Sequence, residues 1–154
     1  MTAVDIEGGD DFREFADDLR DAASQIRFAI DIALRRTALA VERTAKENAP
    51  VDTGTLHTSI RFEKLSAEEY VVGTGVEYAP DVEFGTQPHV ITPTSAEALA
   101  FEGRDGDLIF RSRVEHPGTP AQPYLRPALR EHRSDLVQNI RQEISRVFRS
   151  VFGT

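Results

Sequence analysis

From Asp11 to about Asn48 the chain runs without a proline or a glycine, and this stretch constrains the fold more than any other feature. Its apolar residues, Phe15, Leu19, Ala23, Ile26, Ile30, Leu34, Ala38, Val41 and Ala45, recur at steps of three or four. That spacing puts them on one stripe of an amphipathic helix. At the usual rise such a helix spans about 55 Å, longer than a small domain needs. It must therefore bend over its own sheet or reach a neighbouring copy. Ala49-Pro50 ends it, because the residue before a proline is pushed out of the helical region.

The periodicity then changes. Residues 58–65 alternate, with Ile60, Phe62 and Leu65 against Arg61 and Glu63, and Glu69 to Thr74 gives a second strand. A hairpin through Ser66-Ala67-Glu68 joins them. Tyr78 to Phe84 reads as a short helical or irregular segment stopped by Gly85. His89 to Thr92 reads as a brief edge strand limited by Pro88 and Pro93. Leu99-Ala100-Phe101 and Leu108 to Val114 flank Gly103-Arg104-Asp105-Gly106, and Asp-Gly is a strong hairpin signal. From Pro123 the stripe Leu125, Leu129, Leu136, Ile140, Ile144, Phe148 and Phe152 predicts a second long helix, with Pro127 tolerated in its first turn and Gly153 at its end. The expected fold class is α+β: a long N-terminal helix, a small antiparallel sheet of hairpins, and a long C-terminal helix packed on one face.

A chain of 154 residues fits one domain, so 1–154 is expected to be a single unit, with 1–10 a flexible acidic N-terminus. It has no cysteine, which excludes disulfides, thiolate nucleophiles and Cys-based zinc sites. No apolar run is long enough to cross a bilayer, and the acidic start predicts no signal peptide. The formal net charge of −8 is unevenly placed. Residues 5–21 hold Asp5, Glu7, Asp10, Asp11, Glu14, Asp17, Asp18 and Asp21 against Arg13 and Arg20. The last helix carries Arg126, Arg130, Arg133, Arg141, Arg146 and Arg149 against Glu131, Asp135 and Glu143. Ends of opposite sign can orient head-to-tail contacts between copies, although two solvated helix faces would show the same pattern. Only Lys46 and Lys64 among 18 basic residues are lysine. That bias fits a salt-adapted host, and equally a GC-rich genome.

Three segments stand out by their turn chemistry. They are Ala49-Pro50-Val51-Asp52-Thr53-Gly54-Thr55-Leu56, then Tyr78-Ala79 running into Val82-Glu83-Phe84-Gly85-Thr86, then His116-Pro117-Gly118-Thr119 leading to Pro123-Tyr124-Leu125-Arg126-Pro127-Ala128-Leu129. In this order, over roughly residues 45–130, they resemble the small neck (tail-completion) proteins of long-tailed double-stranded-DNA viruses of bacteria and archaea. In that family a Pro-x-Asp-Thr-Gly-x-Leu segment follows a long helix, and a Tyr-Ala…Val-Glu-Phe-Gly-Thr segment follows a hairpin. A Pro-Phe-Leu-Arg-Pro-Ala-like segment opens the last helix. Asp81 departs from the pattern, since the family has an aromatic residue there.

The resemblance implies a structural virion protein with no chemistry of its own. It implies a homo-oligomeric ring of six- or twelve-fold order in the neck, joining the capsid connector to the tail and letting DNA pass. A head-completion or connector protein would sit on one side and a tail terminator or tail-tube protein on the other. The protein would be assembled in the host cytoplasm and located in the virion, with no membrane partner and no cofactor. Asp52, Thr53, Gly54 and Leu56, with Tyr78, Glu83, Phe84, Gly85 and Thr86, would organise edge and loops. Pro123, Tyr124, Leu125, Arg126 and Pro127 would anchor the last helix. Phe12 and Phe152 are candidate plugs between subunits. A tail terminator or minor tail protein is the nearest alternative.

Other chemistries fit less well. Asp52-Thr53-Gly54 matches the aspartic-protease triplet, in which two carboxylates share a proton. Here it follows a helix rather than lying in a buried strand, and Val71-Val72-Gly73 comes too soon to be the second element of such a site. The turn reading has Asp52 accepting bonds from the amides of Gly54 or Thr55. Glu83 has no catalytic partner at motif spacing, and an ion pair with an arginine such as Arg126 suits it better. His57, His89, His116 and His132 lack ligand spacing, so no metal is expected. The arginines of the last helix share no narrow face and have no aromatic platform. They allow non-specific contact with transiting DNA and predict no sequence-specific binding.

Overall fold

A computed structural model of the chain describes residues 8–94, 96–103 and 105–152, without the side chains of Asp11 and Phe152. Of the stretch 1–10 expected to be flexible, 1–7 lie outside the described residues, while Gly9 and Asp10 already belong to a helix. That helix, α1 (Gly9–Asn48), is 40 residues long. It ends as the sequence predicts: Ala49 turns to an extended φ of −66° and ψ of 131°, and its amide still reaches Ala45 O at 3.0 Å.

The elements that follow are α2 (Thr55–Ser59), β1 (Arg61–Ser66), β2 (Glu69–Gly73), α3 (Ala79–Phe84), β3 (His89–Ile91), β4 (Leu99–Glu102), β5 (Leu108–Arg111), β6 (Val114–His116), α4 (Leu125–Glu131) and α5 (Arg133–Phe152). The class is α+β. The strands form three separate two-stranded antiparallel sheets, β1–β2, β3–β6 and β4–β5, rather than one. The chain divides into two compact units, the described residues up to Gly75 together with those from Tyr124 onward, and Val76–Pro123.

In the first unit α1 carries both α4–α5 and the β1–β2 hairpin. Its buried positions are Ala22, Ala29, Ala33, Thr37, Ala38, Val41, Thr44 and Ala45. Small residues at a helix–helix contact let the axes approach closely, which is why this seam is made of alanine and threonine. The predicted stripe is therefore corrected at its start: Phe15 and Leu19 are 53% and 46% exposed, and Ala23 is exposed too. No described residue N-terminal to Ala22 is buried.

Three further predictions are corrected. The strand expected over 58–65 begins only at Arg61, because Gly54 in the left-handed region (φ 80°) starts the short helix α2, which holds Thr58 and Ser59. Its anchors are Leu56 and Ile60, while Leu65 stays 57% exposed. The segment Leu108 to Val114 is broken at Ser112-Arg113 into β5 and β6. The single C-terminal helix is two, α4 and α5, interrupted at His132 (φ −92°, ψ 4°). In α4 Ala128 is buried and Leu129 is 61% exposed, the reverse of the expected stripe. The predicted stop at Gly153 lies outside the described residues.

In the second unit β3 pairs with β6 so that His89 stands opposite His116, and the β4–β5 hairpin lies between them in sequence. The Gly103 amide bonds Asp107 O at 2.8 Å and that of Gly106 bonds Gly103 O at 3.0 Å. Gly106 takes a φ of 83°, as a turn closing on glycine requires.

Candidate functional site

The second and third sequence motifs meet in a backbone clasp. Thr86 and Thr119 exchange amide–carbonyl bonds of 2.9 and 3.2 Å, and the Thr119 amide also meets Thr86 Oγ1 at 2.9 Å. Each side of the clasp begins at a glycine with positive φ, Gly85 at 72° and Gly118 at 86°. A Cβ on Gly85 would stand 2.6 Å from Thr119 O, and one on Gly118 would strike Thr86 O. The Gln122 amide extends the clasp to Val82 O at 2.8 Å. The motif glycines are there because two backbones cross where no side chain fits.

The helix α3, with Pro80 in its first turn, leads into this clasp, and the Gly85 amide closes on Asp81 O at 2.8 Å. Glu83 is buried, while Tyr78 and Phe84 are 45% and 62% exposed. Two aromatic residues thus show surface beside a rigid turn. Beyond it the His89 and His116 rings lie 5.0 Å apart. His89 Nδ1 bonds Gln87 O at 2.9 Å, and His116 Nδ1 accepts the Gly118 amide at 3.1 Å. Among the described residues no three His, Cys, Asp or Glu side chains come together as metal ligands.

The first motif and the end of the third belong to the first unit. Asp52 is exposed, and the turn does not use it as the sequence suggests. The Thr55 amide is met instead by Thr53 Oγ1 at 3.4 Å, with the two threonine hydroxyls 2.9 Å apart. Gly54 O accepts the Thr58 hydroxyl at 3.0 Å. Leu56 is the buried anchor of this turn, and Ser59 Oγ links it to Thr74 Oγ1 at 2.6 Å. From the third motif Tyr124 is 2% exposed. Leu125 and Pro127 are half-buried and Arg126 is exposed.

Three polar clusters escaped sequence reasoning. His132 is buried, with Nε2 at 2.8 Å from Thr44 Oγ1 and Nδ1 at 2.8 Å from Asp135 Oδ2. The signal for it is the seven-residue gap between Leu129 and Leu136 in the apolar stripe, which His132 fills. Asp31 Oδ1 takes Lys64 Nζ at 2.6 Å and the Tyr70 hydroxyl at 2.8 Å. The Lys64 bond, then the Tyr70 bond, hold Asp31 below its ordinary carboxylate value. The same Asp31 bond raises Lys64, and burial followed by the Asp31 bond raises Tyr70. The β1–β2 register sets Lys64 opposite Tyr70, with the ammonium 5.7 Å from the ring centroid. Nearby, burial pushes the Glu42 carboxyl up, but the Lys46 ammonium at 2.6 Å and the Phe62 amide at 2.8 Å outweigh it and hold Glu42 low. Each cluster locks a neighbouring element onto α1.

Apolar surface is open at several places in this unit, Phe28 and Leu39 among them, and two further places stand out. One is the stretch of α1 ahead of Ala22, where Phe12, Phe15 and Leu19 are 72%, 53% and 46% exposed. The other is a groove of about 320 Å³ bounded by α1, β2 and α4–α5, lined by Leu34, Ala38, Val41, Val71, Leu129 and Leu136 among others. Among the described residues no helix is long and apolar enough to cross a membrane.

The first unit is thus a long helix carrying one docked hairpin and the α4–α5 pair, with apolar surface left open. Residues 10–85, just under half of the chain, match the model of the family described as "Bacteriophage HK97-gp10, putative tail-component". The matched segment runs from the open end of α1 to Gly85, so it holds the first motif and the second as far as Gly85, but not the third. What that stretch is similar to is a component of a virion's tail. Comparison with curated proteins and with solved structures returned no match.

Proposed function

We propose that this protein forms the ring of the neck that joins the capsid connector to the tail and lets DNA pass. The observation that carries the reading is the end of α1. Residues 9–21, at a rise of about 1.5 Å each, extend the helix roughly 20 Å beyond Ala22, its first buried position, and they present Phe12, Phe15 and Leu19 to solvent. A ring requires heterologous contacts, in which one patch meets a different patch on the next copy. In this reading 1–154 acts as one neck domain, with six- or twelve-fold order. A head-completion or connector protein seats on one face and a tail terminator or tail-tube protein on the other. The clasped residues Glu83, Phe84, Gly85 and Thr86 with Tyr78 form a stiff contact loop. Asp52, Thr53, Gly54 and Leu56 set the exit from α1, and Pro123 to Pro127 set the entry to α4. The protein has no catalytic role, and contact with transiting DNA is non-specific. Assembly takes place in the host cytoplasm.

Native mass spectrometry of the purified full chain tests this reading: a species of six or twelve protomers is expected. A strict monomer at high concentration, together with virions that form intact and infectious without the protein, would overturn it. Crosslinking in virions decides between the neck and the tail-terminator position, which differ in their neighbours.

A further inference from the structure

We infer that the open end of α1 in one copy docks into the apolar groove beside β2 and α4 of the next copy. This rests on the ring reading above and specifies its contact. Three features of the chain support it.

The first is the course of the apolar seam on α1. At 100° per residue, Phe12, Phe15 and Leu19 fall on the same side of the helix as Ala22, Ile26, Ala29 and Ala33, within an arc of about 100°. Of the latter four, Ala22, Ala29 and Ala33 are buried, and Ala29 lines a cavity with Arg146 and Val147 of α5. The seam continues past Ala22 with larger side chains and without cover. Large aromatics on an uncovered continuation of a helix–helix seam are suited to a second partner of the same kind, an apolar groove.

The second is size. The groove of about 320 Å³ is open to solvent, with Val71 and Leu129 on its walls 45% and 61% exposed. Tyr70 lines one side of it, and the open volume has room for a further aromatic ring from outside.

The third is charge. Glu14 and Asp18 sit one turn apart beside the Phe15–Leu19 stripe, and the stretch from Asp10 to Asp21 is acidic on balance. Arg130 and Arg133 lie next to Leu129 and before Leu136, are exposed, and make no ion pair among the described residues. Two acidic helix ends would repel each other, so symmetric pairing of the stripes is disfavoured. An acidic end entering a groove whose lining Leu129 and Leu136 bracket Arg130 and Arg133, with Glu131 between them, is favoured and gives the contact a direction.

Mixing variants of the full chain tests this head-to-tail geometry. Phe12→Ser/Phe15→Ser removes the plug and keeps the groove, whereas Val71→Glu blocks the groove and keeps the plug. All three positions are solvent-exposed, so the fold should survive; Leu129→Glu provides a second groove variant, and circular dichroism checks each. Each variant alone should associate at least about 30-fold more weakly than wild type, as expected for loss of an aromatic anchor. An equimolar mixture should give a 1:1 dimer and nothing larger, since only one plug–groove pair remains intact. Reversing Glu14 and Asp18 to arginine should weaken association, and Arg130→Glu/Arg133→Glu in the same chain should restore it. Variants that oligomerise like wild type, or a mixture that stays monomeric while wild type forms rings, would overturn this docking and leave the ring reading standing. A wild-type chain that is itself monomeric would overturn both.

Discussion

Replacing Gly85 by alanine tests whether the second and third motifs act as one clasp. Gly85 has φ 72° and ψ 172°, a region that is almost reserved for glycine and costs an L-residue about 1–3 kcal/mol. The added Cβ would also stand 2.6 Å from Thr119 O and 2.7 Å from the Ala121 amide. Both are backbone atoms, so the clasp has to open, and its two amide–carbonyl bonds contribute about 1 kcal/mol each. Together these give a local destabilisation of about 3–5 kcal/mol. At tenfold per 1.4 kcal/mol, amide hydrogen exchange at Thr86 and Thr119 should speed up by about 100-fold or more. Gly75→Ala is the control: its Cβ meets nothing within 4 Å, so the change should stay within about 0.5 kcal/mol. If Gly85→Ala left protection at both threonines as in the wild type, the clasp would not be the element that holds these motifs together.

Two further predictions concern the first unit. His132→Ala should lower unfolding stability by about 2–4 kcal/mol, through a cavity and an orphaned Thr44 hydroxyl. Thr44→Val should cost about 1–2 kcal/mol, and urea midpoints unchanged from wild type would refute the buried bond. The Asp31–Lys64–Tyr70 cluster should make stability depend on pH in two windows. Asp31 is depressed, so its contribution is present above the ordinary value of 3.8 and is lost as the pH falls through the lower folded value. Lys64 and Tyr70 are raised from 10.5 and 10.0, so theirs is full below those values and is lost as the pH climbs past them. The gap between wild type and Asp31→Asn in urea titrations should therefore be widest near neutral pH and narrow at both extremes. A gap independent of pH would show that the three groups do not interact.

The sequence by itself determined the α+β class, the length and end of α1, the β1–β2 hairpin, the Asp-Gly turn and the three turn motifs. Each of these is encoded by neighbours in the chain: apolar periodicity, the restriction before proline, and the need for glycine at positive φ. Tertiary structure decided which apolar residues are covered. Phe15, Leu19 and Leu129 obey the helical period as well as Val41 does, yet they are exposed, because burial depends on where α5 and β2 lie and not on local spacing. The same holds for polar groups. His132 looks like an isolated surface histidine until Thr44, far away in sequence, is brought to its ring, and Asp31 gains its role only from the hairpin register. Asp52, the most conspicuous residue of its motif, yields the turn to Thr53 because the side chain that reaches the Thr55 amide is set by backbone geometry. Local patterns select which elements form, and the long-range placement of those elements selects which surfaces are left for a neighbour.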